Sequence, residues 1–459
     1  MLRKCYIIAF YRKISYNKAT EKAVCRRNQS AGRPLFILAA GQGRPKILYA
    51  EEKERMMERK RRIAMFTVAP AIIFLITYYI YYLQASVPGG GDIVKHMNAA
   101  LSLDMVLKIS DCGWHFVCWL FYVCLPIPIE EAASLATASF NALTAVLVIW
   151  IIDRYYGKNM KRVVFPTVIT LVSLLVGPLY LRFYNPNYYL GQGSPNIWHN
   201  PTSVAVRPFM LWVTVLTMDY WSCDKEERVS VGKRTMKKTI AYELGLGVLL
   251  FISTLVKPSF LMVYCPVCGI VILYRLIKRK GKGFWELVKQ NLYFLPSLAV
   301  FLWQYIKIFI FGGATGSNAG IEIAFFKVAR LYAPSVLFSL ILKMAFPILV
   351  IVIWRKKIFK DKLFQMVFGM ALMGLAITWT LAETGDRAKH GNFGWSNILA
   401  SSFLWIFCVI FYAREWDEEK ETIMENTMLK VKYAVPAVIL LWHLVAGLYS
   451  MTTYMREFT

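Results

Sequence analysis

The chain has 459 residues, of which 57% are hydrophobic and 15% aromatic, with a mean hydropathy of +0.45. This composition is too apolar for a soluble domain and predicts an all-α polytopic membrane protein. The formal net charge of +26 would be compatible with nucleic-acid binding. However, the basic residues cluster between apolar runs, as they do in the cytoplasmic loops of membrane proteins. We therefore expect membrane lipid, and no nucleic acid, as a partner.

The first 62 residues form a basic segment with 17 lysine and arginine residues. Its apolar patches are too short to cross a bilayer, so we predict that it stays in the cytoplasm. The pair Met56-Met57 lies just before the last basic run, which raises the hypothesis that natural translation begins at Met56. Residues 63–459 are predicted to form one multi-span domain. The nine cysteines lie mostly inside apolar segments and do not indicate a disulfide framework.

Apolar runs and loop charges together predict the topology. Eleven spans are predicted, at 63–83, 131–152, 163–181, 206–221, 239–256, 260–276, 291–311, 331–354, 363–381, 397–412 and 433–449. The apolar stretch 114–129 is interrupted by Pro126 and Pro128, so we expect it to lie at the interface or re-enter rather than cross. The internal loops then hold 25 basic residues against about 10 outside. This arrangement predicts a multi-pass plasma-membrane protein with a cytoplasmic N-terminus, an outer C-terminus and a long first outer loop carrying interfacial helices.

The first outer loop opens with Gly89-Gly90-Gly91-Asp92 and reaches His96 one helical turn later. Glycines let the backbone turn and a ligand approach. Asp92 and His96 are spaced i and i+4, so they share a helix face. The carboxylate is a candidate general base, and His96 a candidate for binding phosphate or tuning the pKa of that carboxylate. The alternative is that Asp92 only caps the helix.

Two further outer segments carry chemically capable residues. Arg207 follows a polar loop at the start of a span, and Lys257 lies in a tight turn between two spans. Either cation would suit a phosphate, or would snorkel to the membrane surface. The segment 383–395 is charged and rich in glycine and aromatic residues, which is typical of carbohydrate sites but also of a solvated turn.

This layout of one span, a long outer loop opening with Gly-Gly-Asp92 and His96, a non-crossing Trp114-His115 segment and many further spans resembles the GT-C superfamily of integral-membrane glycosyltransferases, bacterial type. The resemblance covers residues 57–459 and implies transfer of a sugar from a polyprenyl-phosphate carrier, with inversion, to a glycan or lipid acceptor at the outer face. It also implies that Asp92 deprotonates the acceptor hydroxyl. The lipid-linked sugar is a substrate, and no cofactor is expected.

The predicted site residues follow from these segments and the resemblance. The catalytic candidates are Asp92 and His96, and the substrate-binding candidates are Trp114, His115, His199, Asn200, Arg207, Lys257, Glu383, Arg387, His390, Asn392 and Trp395. No metal site is predicted, because Asp92, Asp104 and Asp111 are spread over too many helical turns to converge. The alternatives are a flippase or transporter for a lipid-linked sugar, and a membrane polymerase of lipid-linked repeat units.

Overall fold

The computed structural model of the chain describes residues 44–89, 91–156, 164–186, 193–224, 226–231, 234–312 and 320–457. The chain divides into two compact units, Met1–Glu58 and Arg59–Thr459. In the first unit the described part is the beginning of helix α1 (Arg44–Ser86). The predicted basic segment therefore lies outside the described residues up to residue 43, and its remainder is helical.

The second unit continues α1 and is helical almost throughout. Its further helices are α2 (Asp92–Asn98), α3 (Leu103–Lys108), α4 (Gly113–Cys124), α5 (Ile129–Tyr156), α6 (Val164–Leu175), α7 (Pro201–Ser222), α8 (Lys238–Val256), α9 (Ser259–Lys278), α10 (Phe284–Gln290), α11 (Leu295–Tyr305), α12 (Lys327–Tyr332), α13 (Val336–Ile358), α14 (Lys362–Thr380), α15 (Gly394–Glu425) and α16 (Thr427–Glu457). Short 3₁₀ segments, Leu292–Phe294 and Gly385–Arg387, and a π-helical segment, Ile306–Ile310, complete the helical structure.

Two antiparallel strand pairs occur in the described residues. Strand β1 (Arg228–Val231) pairs with β2 (Arg234–Lys237), with Arg228 opposite Lys237. Strand β3 (Ile321–Ile323) pairs with β4 (Leu381–Glu383), with Ile321 opposite Glu383. The second pair fixes the beginning of the segment 383–395.

Nine segments of the described chain are long and apolar enough to cross a membrane, which confirms the polytopic all-α class. They are Arg55–Ser86, Ile129–Arg154, Lys238–Val256, Ser259–Lys278, Phe284–Ile310, Val336–Ile358, Lys362–Thr380, Gly394–Glu425 and Thr427–Thr453. Each overlaps one of the eleven predicted spans. Helix α4 has 12 residues, a length of about 18 Å, and ends before Pro126. Proline disfavours helical structure in the residue that precedes it, so the apolar run breaks where the sequence indicates.

The predicted span at 163–181 is not one continuous helix. Helix α6 ends at Leu175, and the chain continues without helical structure through Gly177 and Pro178. Neighbouring helices supply its backbone partners: Gly177 N–H donates to the carbonyl of His443 (3.0 Å) and Leu179 N–H to that of Leu342 (2.9 Å). Non-helical backbone is tolerated at membrane depth when protein groups satisfy it in this way.

Helix α13 supplies a backbone acceptor to the non-helical segment that follows α6. It can do so because its own hydrogen bonding is interrupted at Pro347. Pro347 has no N–H to donate to the carbonyl of Lys343, four residues earlier. The indole Nε1–H of Trp405 donates to that carbonyl instead (3.2 Å), and Met344 adopts a non-helical conformation. The kink therefore leaves carbonyl groups of α13 free to accept hydrogen bonds from α15 and from the non-helical segment after α6.

The predicted span at 206–221 is part of a longer helix, α7, that begins five residues earlier at Pro201. This helix is not among the nine apolar candidates, yet most of its side chains are buried, including polar ones. It packs against α5 and α8, and Asp219 near its end pairs with Arg154 at the end of α5 (2.8 Å). At 1.5 Å per residue its 22 residues extend about 33 Å. Because α7 faces other helices rather than lipid, its polar side chains can make their hydrogen bonds within the protein.

Candidate functional site

Asp92 begins helix α2 but does not cap it. The N-cap position is Gly91, whose φ of 98° favours glycine, and no side chain caps this helix. Oδ2 of Asp92 instead accepts a hydrogen bond from Nδ2 of Asn200 (3.0 Å). The alternative that Asp92 serves only as an N-cap is therefore wrong.

Asn200 joins the carboxylate of Asp92 to the ammonium of Lys257. Its Oδ1 accepts hydrogen bonds from Nζ of Lys257 (3.2 Å), the hydroxyl of Thr202 (3.0 Å) and the N–H of Ser203 (2.9 Å). The bond to Ser203 caps helix α7. Because Lys257 can only donate and an ionised carboxylate can only accept, these partners fix the orientation of the amide.

Lys257 follows helix α8 and is 7% exposed, so it does not reach the surface by snorkelling. Its Nζ also donates to Oγ1 of Thr202 (2.9 Å) and lies 4.8 Å from the ring centre of Trp395. Burial lowers the pKa of Lys257 to about 8, although the negative charges of Asp111 and Asp92 oppose that change. We call Asp92, Asn200, Thr202, Lys257 and Trp395 the Asp92 cluster.

The electrostatic balance keeps Asp92 ionised at neutral pH. Burial by itself raises the pKa of this carboxyl group, but the hydrogen bond from Asn200 and the neighbouring His199, His96 and Lys257 lower it below the ordinary value. The cluster therefore presents a carboxylate and an ammonium group on either side of one amide.

His96 pairs with His115 rather than with Asp92. Nδ1 of His96 lies 2.9 Å from Nε2 of His115, and Nδ1 of His115 lies 3.2 Å from the carbonyl oxygen of Asp111. Burial lowers the pKa of both histidines, that of His96 to about 4, so both are neutral at pH 7.

The hydrogen bonds fix the tautomers of these two rings. The carbonyl of Asp111 can only accept, so the proton of His115 is on Nδ1 and its Nε2 accepts from Nδ1–H of His96. Nε2 of His96 is then the unprotonated nitrogen, able to accept a hydrogen bond from a hydroxyl group. Trp114 packs edge-on against His115 (5.3 Å between ring centres) and donates its indole N–H to Thr137.

Gly113 allows helix α4 to approach the turn that holds Lys257. A Cβ at position 113 would lie 2.7 Å from Cγ2 and 2.9 Å from the backbone nitrogen of Val256. Only glycine fits such a distance without movement. This contact sets the position of His115 relative to Lys257.

Arg207 is 3% exposed, so it does not snorkel. It donates to Oδ1 of Asn196 and to the carbonyl oxygen of Pro195 (3.5 Å), and Asn196 in turn donates to carbonyl oxygens at the end of α6, including that of Val176 (2.8 Å). Its Nε has no partner among the described atoms. Arg207 therefore secures the segment before α7, where His199 also lies with its ring 5.8 Å from that of Trp395.

The remaining predicted residues divide between two other places. Glu383 is 2% exposed and accepts hydrogen bonds from Nε of Arg387 (2.9 Å) and Nδ2 of Asn392 (2.5 Å). These three residues satisfy one another and hold the segment 383–395 in place. His390 lines a separate cavity that also contains Lys343.

Of the predicted set, the structure brings together Asp92, Asn200, Lys257 and Trp395, with His96, His115 and His199 around them. Sequence reasoning missed Thr202, although its place just after an Asn-Pro helix start is typical of capping segments. In the described residues, no group of three histidine, cysteine, aspartate or glutamate side chains is placed to hold a metal ion.

Comparison with known proteins adds no family to these observations. No protein-family model matches the sequence, and a comparison with curated proteins found no match.

Proposed function

We propose that the protein is a membrane glycosyltransferase that moves a sugar from a polyprenyl-phosphate carrier to an acceptor hydroxyl. The observation that carries this proposal is the bridge Asp92–Asn200–Lys257, which holds a base and a cation at a fixed spacing. Glycosyl transfer from a phosphate needs both groups, since a proton leaves the acceptor while negative charge develops on the leaving phosphate.

The reaction would use the two ends of the bridge for opposite tasks. As the acceptor oxygen bonds to the anomeric carbon, its proton passes to the carboxylate of Asp92. The bond from that carbon to the phosphate oxygen breaks, and the lipid phosphate leaves with the electron pair. Lys257, protonated below a pKa of about 8, would stabilise that charge.

The neighbouring groups would orient the substrates. Nε2 of His96 would accept a hydrogen bond from a sugar or acceptor hydroxyl, because its other nitrogen is held by His115. Trp395 would hold the cation in place through its ring face. Because Lys257 occupies that face, we assign Trp395 to positioning the cation rather than to covering the sugar.

In the proposed topology, the Asp92 cluster lies at the outer face of the plasma membrane. Both nine and eleven crossings are odd numbers, so the beginning of α1 and the end of α16 would lie on opposite sides. With the basic loops inside, α1 begins in the cytoplasm.

A transporter for a lipid-linked sugar is the second candidate. It is favoured by Lys343 and His443, which are 2% and 0% exposed within spans, because a path across the membrane needs buried polar groups.

The test is an assay of the purified full chain in lipid vesicles with a panel of labelled polyprenyl-phosphate sugars and extracted membrane lipids and glycans as acceptors. We expect label to appear in an acceptor for at least one donor. Movement of intact donor across the vesicle membrane without transfer would contradict the proposal and favour the transporter.

A further inference from the structure

A cavity of about 100 Å³ lies among helices α12, α13 and α14 and the first turn of α15. By volume it would hold roughly three water molecules, or one tetrahedral oxyanion. Its polar lining comes from Ser339, Lys343, Thr378, His390 and Asn397, and no aspartate or glutamate is among the described residues that line it.

Lys343 brings a basic amino group to this cavity. The residue is 2% exposed, and its Nζ donates one hydrogen bond, to Oδ1 of Asn397 (3.4 Å). That oxygen also accepts from the hydroxyl of Ser401 (2.9 Å), so it is shared between two donors. An ammonium group buried in a span without a carboxylate is costly unless an anion or water is close to it.

Ser339 provides a second, independent indication of a ligand. It precedes Lys343 by one helical turn, so both side chains lie on the same face of α13. Ser339 is 3% exposed, and its Oγ has no hydrogen-bond partner among the described atoms. A buried hydroxyl without a partner is unfavourable, and an anion beside Lys343 would remove that cost.

The cavity is separate from the Asp92 cluster. Trp395 and Asn397 are two residues apart on the first turn of α15, so their side chains point about 200° apart around the helix axis. Trp395 contacts Lys257, whereas Asn397 contacts Lys343. The two sites therefore lie on opposite sides of the first turn of α15.

We propose that this cavity binds a phosphate group, with Lys343 and Ser339 as its donors. A phosphate matches the volume, the basic side chain of Lys343 and the absence of carboxylates in the described lining. The apolar walls, which include Val336 and Leu340, would accept the first carbons of an attached chain. The phosphate would come either from a lipid head group or from free phosphate. The inference does not depend on the proposed transferase activity.

The test measures phosphate binding in two arms with the full chain in nanodiscs. In the first, radiolabelled inorganic phosphate is titrated in nanodiscs of digalactosyldiacylglycerol alone, a lipid without phosphate. In the second, native mass spectrometry measures retention of phosphatidic acid from mixed nanodiscs. We expect Lys343→Met to weaken binding at least tenfold and Ser339→Ala about threefold, because each removes a donor to a charged group. Lys356→Met, which removes an exposed lysine at the other end of the same helix, should bind as wild type does.

Binding of inorganic phosphate that depends on Lys343 would support the proposal and identify free phosphate as the source. Retention of phosphatidic acid alone, with the same dependence, would support it and identify a lipid head group. Wild-type protein that binds neither probe, or Lys343→Met protein that binds as wild type does, would overturn the proposal. If Lys343→Met does not fold, an unchanged affinity in Ser339→Ala protein would overturn it.

Discussion

Asp92 and Lys257 form a pair of opposite charges kept apart by one neutral amide. Each charge is hydrogen-bonded to Asn200, so neither is buried without a partner. A direct ion pair would leave each group less able to interact with a substrate. The amide preserves the spacing and leaves the second carboxylate oxygen of Asp92 and the one remaining ammonium hydrogen of Lys257 for a ligand.

The pKa of Lys257 gives the proposed activity a defined pH limit. Its pKa of about 8 means that the ammonium form dominates at pH 7 and is lost as the pH rises above 8. We expect the transfer rate to fall about 100-fold between pH 7 and pH 10 if only the protonated form supports reaction. Asp92, with its lowered pKa, stays ionised down to at least pH 5, so the rate should not fall between pH 7 and pH 5.

The matched variant for this pH profile is Lys257→Arg. A guanidinium group remains charged throughout this range, so any remaining activity should lose its alkaline decline. A wild-type rate that stays constant from pH 7 to pH 10 would exclude Lys257 from the reaction.

The sequence was sufficient to identify Asp92 and Lys257 as candidate functional residues, but not to predict their hydrogen-bond partners. A carboxylate after three glycines and a lysine in a tight turn are local features. The bond from Asn200 to Asp92 joins positions 108 residues apart, and that from Lys257 to Asn200 positions 57 apart. No local pattern predicts such contacts, and a short helix with an acidic first residue looks the same whether the carboxylate caps it or binds elsewhere.

At the scale of elements, Asn200 has two tasks, since it caps α7 and connects the two charges. We expect Asn200→Ala to lower the free energy of unfolding by about 2 kcal/mol, through loss of the cap and of an acceptor for buried Lys257. Asn200→Ser should recover about 1 kcal/mol, because serine is also a good capping residue. Neither variant should transfer sugar at the wild-type rate, because neither has the amide donor.

Thermal unfolding in detergent and the transfer assay together separate the two tasks. Ser335→Ala is the control, since Ser335 caps α13 through the N–H of Phe338 (3.3 Å) and does not contact the Asp92 cluster. It should lower stability while activity remains. Full activity in Asn200→Ser protein would show that the amide bridge is not needed.

The contact between α4 and the end of α8 gives a second prediction for elements. Gly113→Ala would force a Cβ to 2.9 Å from the backbone nitrogen of Val256, so one element must move. We expect a loss of about 1–3 kcal/mol in stability and a lower transfer rate, because Lys257 is the next residue.

Gly269→Ala is the matched control, since an added Cβ there meets no atom within 4 Å. It should leave activity unchanged and raise stability by up to about 1 kcal/mol. If both alanine variants have the same stability and transfer rate, the close approach at Gly113 has no role in positioning the turn that carries Lys257.

Most helices were predictable from the length of their apolar runs. The two predicted spans that differ from the structure, 163–181 and 206–221, do so for a common reason. Hydropathy shows that a segment is apolar but does not show whether lipid or protein surrounds it. The segment after Leu175 is apolar and extended because α13 and α16 supply its hydrogen-bond partners. Helix α7 mixes apolar residues with polar ones such as Arg207 and Thr217, which the neighbouring helices bury.

At the scale of the whole molecule, the proposed orientation can be tested at the two ends of one helix. Phe183 is 90% exposed beside Tyr184, whose hydroxyl donates to the carbonyl of Ser335 at the start of α13 (3.4 Å). Lys356 is exposed near the end of the same helix. In a background with all nine native cysteines replaced, we expect a membrane-impermeant maleimide to label Phe183→Cys on intact cells and Lys356→Cys only after permeabilisation. The reverse pattern would place the Asp92 cluster inside the cell.

The most direct test of the catalytic proposal is the transfer rate of Asp92→Asn protein with a donor that the wild type uses. Asparagine has nearly the same shape but cannot accept the proton, so we predict a rate about 10²–10⁴-fold lower with an unchanged unfolding midpoint. Asp104→Asn, which removes an exposed carboxylate paired with Lys108, should transfer at the wild-type rate. Transfer by Asp92→Asn protein within a few-fold of the wild-type rate would contradict the assignment of Asp92 as the base.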